Sequence, residues 1–451
     1  MAEHTLRDTA LDILLRIERD SGYSHLLINQ YIQSRQLSLK DVALLTEIVY
    51  GTVQRQLTLD YYLKAFIRKR KKLDQWVNVL LRMSVYQMVY LDRVPSYAII
   101  DEAVQIAKHR GHKGIASFVN GVLRNIQRRG LPNISAVDDD IKRLSLETSH
   151  PIWLINRWVS HYGFECTKAM CQTNLKKKPL SVRIQPLRIT RKKALEQFTD
   201  DGIDAKPSLF SKQGIIIERG HLLDHKLFTE GYVTIQDQTS MLASEMLNVS
   251  PGMKVLDACS APGGKTTHIA ELMNNKGFIY AHDLHQNKLN LIEEKASKLK
   301  LNNIYTKQSD ARVLQTFYPN ETFERILVDA PCSGLGVIRN KPDIKYNKHI
   351  KDIKRLARIQ LDILIAVAPL LQKGGQLVYS TCTVDPQENE EVVKRFLNKQ
   401  KNFQVDPEFF KHLPDHLQSK VGITPYGLQI FPQTYNTDGF FLTRLQRLNK
   451  L

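Results

Sequence analysis

Cysteine is scarce in this sequence. The chain has five cysteines among 451 residues, too few for a disulfide scaffold in a chain of this length. Cys166 and Cys171 lie close together with no second pair nearby, so their spacing does not fit a zinc site. We therefore expect reduced thiols, a cytoplasmic location and no metal site, with Cys166 and Cys171 buried in a core.

Long apolar stretches are also missing. No segment reaches the ~18 consecutive uncharged apolar residues that a membrane helix needs, so we expect no membrane partner. A length of 451 residues is enough for two or three domains, each with a core of its own.

Acidic residues are few relative to basic ones. The chain has 46 Asp and Glu against 64 Lys and Arg, a formal net charge of +18, which indicates a polyanionic partner. Residues 141–230 are the most basic part per residue, with 16 basic and 9 acidic side chains. This uneven distribution favours a binding site over a uniformly solvated surface.

The segment from Val255 to Thr267 predicts a strand, a loop of small residues and a helix. Gly263 and Gly264 permit a tight turn. Such a loop directs backbone N–H groups and a helix N-terminus at one point, which suits a carboxylate or a phosphate. Cys259 stands where a Walker loop requires glycine, and the adjacent glycines do not have the spacing of a dinucleotide fingerprint. Both usual nucleotide motifs are therefore excluded.

Three aspartates, Asp283, Asp310 and Asp329, each follow a short apolar run. Asp283 comes 20 residues after Gly263, a spacing typical of a carboxylate that binds ribose hydroxyls. Strands that end in acidic or small-residue loops predict an open parallel sheet with its site at the carboxyl ends. We therefore expect a doubly wound α/β fold for residues 231–451.

Three longer motifs point to a family. They are Asp-Ala-Cys-Ser-Ala-Pro-Gly-Gly-Lys-Thr at 257–266, Asp-Ala-Pro-Cys-Ser-Gly-Leu-Gly at 329–336 and Ser-Thr-Cys-Thr at 380–383. In this order they resemble the Nol1/Nop2/Sun family of S-adenosylmethionine-dependent RNA cytosine-C5 methyltransferases, and the resemblance covers nearly the whole chain. It implies three domains: an all-α NusB-like RNA-binding domain at 1–137, a small α+β RNA-recognition-like domain at 141–230, and a Rossmann-like class I methyltransferase domain at 231–451.

Several basic side chains are expected to contact RNA phosphates. They flank the strands and helix predicted in the middle segment, or form a run between two predicted N-terminal helices. They are Lys176–Lys178, Arg183, Arg188, Arg191–Lys193 and the run Arg68–Lys72.

The resemblance also assigns the binding of S-adenosylmethionine. Backbone groups of the loop are implied to hold its methionine part: Cys259, Ser260, Ala261, Pro262, Gly263, Gly264 and Lys265. Asp283 is implied to bind the ribose hydroxyls and Asp310 the adenine amine, while Asp329 borders the reactive methyl group.

Cytosine C5 is a poor nucleophile, and addition of a thiolate at C6 is the usual way to activate it. Cys332 and Cys382 each follow a predicted strand, at the end where the methyl donor is expected. The resemblance implies that Cys382 is the nucleophile and that Cys332 assists release of the product. Asp329 is expected to hold the exocyclic amine or N3 of the base.

The implied substrate is cytosine 967 of 16S ribosomal RNA, with no DNA partner and a monomeric enzyme. A transfer RNA substrate remains an alternative. A DNA cytosine methyltransferase, with Cys332 as nucleophile, is disfavoured by the Ser-Thr-Cys-Thr motif and the RNA-type N-terminal segment. A non-catalytic ribosomal RNA assembly factor is disfavoured because Cys382 and the glycine pair are both present.

Overall fold

The computed structural model describes residues 5–20, 27–28, 30–32, 38–67, 73–418 and 421–449. The chain forms two compact units, one of residues 1–176 with 338–347 and one of residues 177–337 with 348–451. The basic run Arg68–Lys72 lies outside the described residues.

The first unit is helical, as its apolar periodicity predicts. Its core is built from aliphatic side chains spaced three and four residues apart, such as Val119, Leu123 and Ile126, which are buried. Ser38 caps one helix by accepting the Asp41 N–H at 3.2 Å. The helices are α1 (Leu6–Asp20), α2 (Leu39–Gln54), α3 (Gln56–Lys64), α4 (Gln75–Tyr90), α5 (Ser96–Arg110), α6 (Lys113–Arg129), α7 (Asp140–Thr148), α8 (Ile152–Tyr162) and α9 (Phe164–Asn174), with a 3₁₀ turn at Ile134–Ala136.

Residues 338–347 belong to this helical unit although they come from the later part of the chain. They end in a short helix, Ile344–Asn347. Lys345 is fully buried there and donates to the Gln54 carbonyl at 2.8 Å, and burial lowers the pKa of Lys345 to about 7. Cys171 is fully buried in the same unit, whereas Cys166 is half-buried, so the expectation of two buried core thiols is correct only for Cys171.

The second unit contains a small antiparallel sheet. Its strands are β1 (Leu180–Ile184), β2 (Asp204–Pro207), β3 (Gly214–Arg219) and β4 (Val233–Ile235), in the order β2-β3-β1-β4. Helices α10 (Arg191–Asp200) and α11 (Lys226–Thr229) accompany them. Because β4 pairs with β1, the small sheet extends a few residues past the predicted boundary at 230. The three predicted domain boundaries stay predictions.

The larger sheet is doubly wound, as predicted for residues 231–451. Its order is β11-β12-β13-β9-β8-β5-β6-β7, and β10 pairs with β13. β5 pairs in parallel with β6 on one side and β8 on the other, so the strand order reverses at β5, the point where such sheets bind ligands. The strands are β5 (Lys254–Asp257), β6 (Phe278–Asp283), β7 (Ile304–Gln308), β8 (Phe323–Asp329), β9 (Leu371–Thr381), β10 (Phe403–Val405), β11 (Ile423–Thr424), β12 (Gly427–Ile430) and β13 (Phe440–Arg447).

Helices connect and cover these strands. They are α12 (Gln238–Glu245), α13 (Gly264–Leu272), α14 (Gln286–Lys298), α15 (Ile350–Val367), α16 (Glu390–Lys399), α17 (Phe409–His412) and α18 (Pro432–Tyr435), with 3₁₀ turns at Ala311–Thr316, Ala368–Leu370 and Asp415–Leu417. None of the helices in the described ranges has the length and apolarity needed to cross a lipid bilayer.

Two of the predicted phosphate contacts are wrong. Arg183 is fully buried and pairs with Glu271 at 2.7 Å, and its guanidinium also donates to the Gly264 carbonyl at 2.8 Å. Lys178 bridges Asp237 and Asp438, each at 2.6 Å. Both cations are used inside the protein, because a buried charge needs an opposite charge or hydrogen bonds to offset its desolvation.

We predict that Arg183→Met destabilises the protein by roughly 3–5 kcal/mol, since it leaves the buried Glu271 carboxylate without its partner. The measurement is the free energy of unfolding in urea. The double variant Arg183→Met/Glu271→Leu should recover much of the loss. Lys192→Ala is the control, because this side chain is 89% exposed, and it should change the free energy of unfolding little. An equal loss in the single and double variants would contradict the ion-pair interpretation.

Candidate active site

The small-residue loop after β5 is held in place from three sides. Gly263 has a φ of 87°, and a Cβ there would lie 3.0 Å from the side chain of Ile292, so glycine is required at this position. The Ser260 N–H and Oγ both donate to the His282 carbonyl, at 2.8 and 2.9 Å. Lys295 donates to the Pro262 carbonyl at 2.9 Å. Helix α13 then begins at Gly264, so its first N–H groups face the end of the sheet.

Asp283 ends β6 beside this loop. One carboxylate oxygen accepts the Ala261 N–H at 3.3 Å, and the other accepts the His285 N–H at 3.1 Å. The structure therefore brings Asp283 to the loop as predicted, with both oxygens oriented by backbone N–H groups.

Asp310 follows β7, at the same end of the sheet, and is engaged by a neighbour that the sequence analysis did not consider. The guanidinium of Arg312 binds its carboxylate through Nε at 3.0 and 3.1 Å and through one terminal nitrogen at 2.5 Å. These hydrogen bonds hold the pKa of Asp310 below its usual value. A ligand that uses this carboxylate has to share it with Arg312 or displace the guanidinium.

The end of the sheet is strongly acidic around Cys259. Burial raises the pKa of the Cys259 thiol well above its usual value, and the charges of Asp257, Asp329, Asp283 and Asp310 raise it further. Two of these four carboxyl groups are paired with cations, Asp329 with Lys265 and Asp310 with Arg312. The unpaired acidic groups, Asp257 and Asp283, favour a cationic ligand over a phosphate.

Lys265 and Asp329 form an ion pair at the centre of the site. The Lys265 Nζ lies 2.7 Å from Asp329 Oδ2, and the Ser380 hydroxyl donates to Asp329 Oδ1 at 2.8 Å. Burial alone would lower the pKa of Lys265, but the charges of Asp329 and Cys382 raise it. This pair connects the first turn of α13 to the ends of β8 and β9.

The two predicted reactive cysteines lie side by side, with their sulfur atoms 3.3 Å apart. The hydrogen bond to Cys382 raises the pKa of Cys332 well above its usual value, and burial adds to the effect. Gly336 keeps the loop that follows Cys332 close to the loop of Cys382, because its N–H donates to the Cys382 carbonyl at 3.0 Å. A Cβ at Gly336 would clash with the Gly439 backbone at 1.9 Å.

Asp257 is a further member of the site that was not predicted from the sequence. Its side chain is fully buried at the end of β5, where Oδ2 accepts the Thr266 hydroxyl at 2.8 Å, while Oδ1 makes no hydrogen bond within the described part of the chain. Burial raises the pKa of Asp257 to about 7. Its place at the start of the first motif was a usable signal, because the same reasoning selected Asp283 and Asp329.

Comparison with known proteins identifies the family. The pattern described as 16S rRNA methyltransferase RsmB/F matches residues 244–446. The NusB family pattern matches residues 4–128, and the ferredoxin-like domain of RsmF/B-like methyltransferases matches residues 150–223. The chain is 46% identical over 447 residues to the probable ribosomal RNA small subunit methyltransferase B of Bacillus subtilis, covering 99% of this chain and 100% of the relative.

The chain belongs to the RsmB/F family of 16S rRNA methyltransferases. A second relative, the probable ribosomal RNA small subunit methyltransferase B of Synechocystis, is 33% identical over 98% of this chain and 99% of its own. The crystal structure of PH0851 matches the fold with a TM-score of 0.83, over 99% of both chains at 24% identity. The predicted fold class is therefore confirmed: a NusB-like helical segment, a ferredoxin-like middle segment and a Rossmann-like catalytic segment.

As a member of this family, the protein is an rRNA methyltransferase that uses S-adenosylmethionine. The site fits this methyl donor. A sulfonium and an ammonium suit the acidic side chains around Cys259, and a carboxylate suits the N-terminus of α13. The described residues contain no cluster of three or more His, Cys, Asp or Glu suited to a metal ion.

We predict that Asp257 makes the protein less stable as the pH rises. Its folded pKa of about 7 lies above the unfolded value, so its contribution is full below about pH 4 and is lost as the pH rises through 7. Asp257→Asn removes this contribution. The free energy of unfolding of the variant, relative to that of the wild type, should therefore rise by about 2 kcal/mol between pH 5 and pH 8. The measurement is urea unfolding at both pH values.

The matched control for this experiment is Asp138→Asn, at an exposed position, which should keep the wild-type dependence on pH. If Asp257→Asn and the wild type lose the same stability between pH 5 and pH 8, Asp257 is already ionised in the folded protein.

Proposed function

We propose that the protein transfers a methyl group from S-adenosylmethionine to C5 of a cytosine in 16S ribosomal RNA, cytosine 967, through a covalent bond between Cys382 and C6. The observation that carries this proposal is the pair of sulfur atoms 3.3 Å apart. They lie at the carboxyl ends of β8 and β9, the strand ends that also carry Asp329 and Ser380, and Lys265 pairs with Asp329 there.

The methyl donor supplies an electrophilic methyl group carried on a sulfonium. The Cys382 thiolate adds to C6 of the base, which turns C5 into a nucleophilic carbon. After the methyl group is transferred, the C5 proton leaves and the bond between Cys382 and C6 breaks, which restores the aromatic ring. Cys332 assists this second half from its position beside Cys382, since the release needs proton transfer.

Asp329 holds the exocyclic amine or N3 of the base. Its carboxylate is oriented by Lys265 and Ser380, and a carboxyl group in this position stabilises the charge that develops on the ring during addition. Lys265 therefore has two roles, since it belongs to the methyl-donor loop and orients the residue that contacts the base.

The methyl donor is held by the chain's own loop and strand ends. The backbone of the loop from Cys259 to Lys265 contacts the methionine part, and Asp283 accepts hydrogen bonds from the ribose hydroxyls. Asp310 contacts the adenine amine while it is shared with Arg312. Backbone N–H groups fix the orientation of Asp283, which supports this assignment because an oriented acceptor binds a diol at little entropic cost.

RNA binding is assigned to residues 1–230, the NusB-like and ferredoxin-like segments. The basic candidates that remain from the prediction are Lys176, Lys177, Arg188, Arg191, Lys192 and Lys193, whereas Arg183 and Lys178 are used internally. The net charge of +18 supports a polyanionic substrate. A monomeric enzyme in the cytoplasm, where ribosomal RNA is made in bacteria, completes the proposal.

We predict that Asp283→Ala weakens S-adenosylmethionine binding by roughly 1–3 kcal/mol, because the ribose hydroxyls lose a charged acceptor. Isothermal titration calorimetry of the full chain measures the affinity. Lys288→Ala, at an exposed position on α14, is the control. An unchanged affinity in Asp283→Ala would remove Asp283 from the binding site.

We predict different behaviour of the two cysteine variants. Cys382→Ala should lose both turnover and the covalent RNA adduct, because it cannot add to C6. Cys332→Ala should still add to the base and transfer the methyl group but stall at release, so an RNA–protein adduct should survive denaturing gel electrophoresis.

The same experiment separates the alternatives. An adduct in Cys382→Ala and none in Cys332→Ala would reverse the roles, as in the DNA-type mechanism. Activity retained in both variants would exclude thiol addition and with it the covalent mechanism. Bisulfite sequencing of cells with and without the gene tests the target: loss of one methylated cytosine from 16S ribosomal RNA supports the proposal, and loss from a transfer RNA overturns it.

A further inference from the structure

A buried carboxyl group lies directly behind the two reactive cysteines. Glu388 is fully buried and follows the Cys382 loop, just before helix α16. Its Oε1 accepts the Ser333 N–H at 2.8 Å and the Gln360 amide at 3.0 Å, and its Oε2 accepts the Ser333 hydroxyl. Ser333 is the residue after Cys332, so this carboxyl group fixes the backbone next to one of the two sulfurs.

The next residue, Asn389, holds the loop of the other sulfur. Its Oδ1 accepts the Thr381 hydroxyl at 2.5 Å, and its Nδ2 donates to the Thr383 carbonyl at 3.1 Å. Thr381 and Thr383 are the two neighbours of Cys382 in the chain. Asn389 therefore forms hydrogen bonds to the residues on both sides of Cys382.

A hydroxyl contact links the two loops to each other. The Ser333 and Thr383 hydroxyls lie 2.9 Å apart, and each belongs to the residue that follows one of the cysteines. Two consecutive residues, Glu388 and Asn389, thus contact the backbone or side chains beside both sulfurs, although neither is placed against the base.

Simple packing does not explain a carboxyl group in this position. Burial raises the pKa of Glu388 to about 7, which shows that its ionised form is disfavoured there, and an apolar side chain would avoid this cost. A carboxyl group does what an apolar side chain cannot, because it accepts from the N–H and the hydroxyl of one residue at the same time.

We propose that Glu388 and Asn389 are positioning residues for the two-thiol chemistry, in which Glu388 sets the position of Cys332 through Ser333 and Asn389 sets that of Cys382 through Thr381 and Thr383. This inference rests on the proposed function. Because each residue acts on a different cysteine, their loss should produce different defects. Loss of the Glu388 contact should slow release, and loss of the Asn389 contact should slow addition.

The first test measures the two thiols without RNA or methyl donor. Diamide accepts two hydrogens from a pair of thiols and is reduced to a hydrazine, leaving a disulfide, so its rate reports how close Cys332 and Cys382 lie. Mass spectrometry of the full chain measures formation of this disulfide. Glu388→Ala and Asn389→Ala should each form it at least about tenfold more slowly, since a displacement of 1 Å costs reactions of this kind about 100-fold.

The conservative variant Glu388→Gln provides the rescue. Its side chain still accepts the Ser333 N–H and can donate to the Ser333 hydroxyl, so the disulfide should form at close to the wild-type rate. Glu391→Gln, on the first turn of α16 and paired with Arg395, is the matched control and should behave as wild type. Ser333→Ala, which removes the hydroxyl contacts to Glu388 and Thr383, should slow the reaction and gives a second variant if Glu388→Ala does not fold.

The second test uses the RNA adduct. Glu388→Ala should accumulate the adduct and Asn389→Ala should lack it, whereas a purely structural role would lower thermal stability and reduce both steps together. Wild-type rates of disulfide formation in Glu388→Ala, Asn389→Ala and Ser333→Ala would overturn the proposal. If neither cysteine is needed for methyl transfer, the proposed function fails, but the diamide rates still decide whether Glu388 and Asn389 position the thiols.

Discussion

The ion pair between Lys265 and Asp329 is the interaction on which the rest of the site depends. Lys265 lies in the first turn of α13, Asp329 ends β8, and Ser380 at the end of β9 binds the same carboxylate. The three side chains that meet here come from three neighbouring strands of the sheet. Asp329 and Ser380 lie at the ends of β8 and β9, and Lys265 lies in the helix that follows β5. Parallel strands make this convergence unavoidable, since their carboxyl ends lie at one edge.

The same edge concentrates negative charge, and this has an energetic cost. Asp257 is fully buried with one oxygen unbonded in the described part of the chain, and its pKa is raised to about 7. A protein selected for stability alone would avoid such a group. The buried carboxyl group is, however, available to a cationic ligand without rearrangement.

Much of the site was predictable because its signals are local. Gly263 is required by a positive φ, and Asp283 and Asp329 end strands that the alternation of apolar residues already reveals. Cys332 and Cys382 follow neighbouring strands, so their proximity follows from the sheet order once a doubly wound fold is assumed. Testing the variants Cys332→Ala and Cys382→Ala is meaningful for this reason, since the structure places the sulfurs in contact.

The errors arose where the environment of a side chain is set by distant parts of the chain. Arg183 and Lys178 were predicted to contact RNA phosphates, but they pair with Glu271 and Asp438, which are far away along the chain. Arg312 is an exception, since it is only two residues from Asp310, but sequence proximity does not show where a guanidinium points. Glu388 was missed for a related reason, as its importance comes from Ser333, 55 residues earlier.

The contact between the sulfurs also bears on their division of labour, independently of any resemblance. Two thiolates 3.3 Å apart would repel each other strongly, so only one of the two ionises at a time. The hydrogen bond to Cys382 and burial raise the pKa of Cys332, since a second negative charge beside the first sulfur is costly. The charges of Asp329 and Cys382 raise the pKa of Lys265, so its ammonium group stays charged close to Cys382. Contact between the sulfurs therefore requires one ionised and one protonated cysteine during the reaction, so the two cannot share the same role.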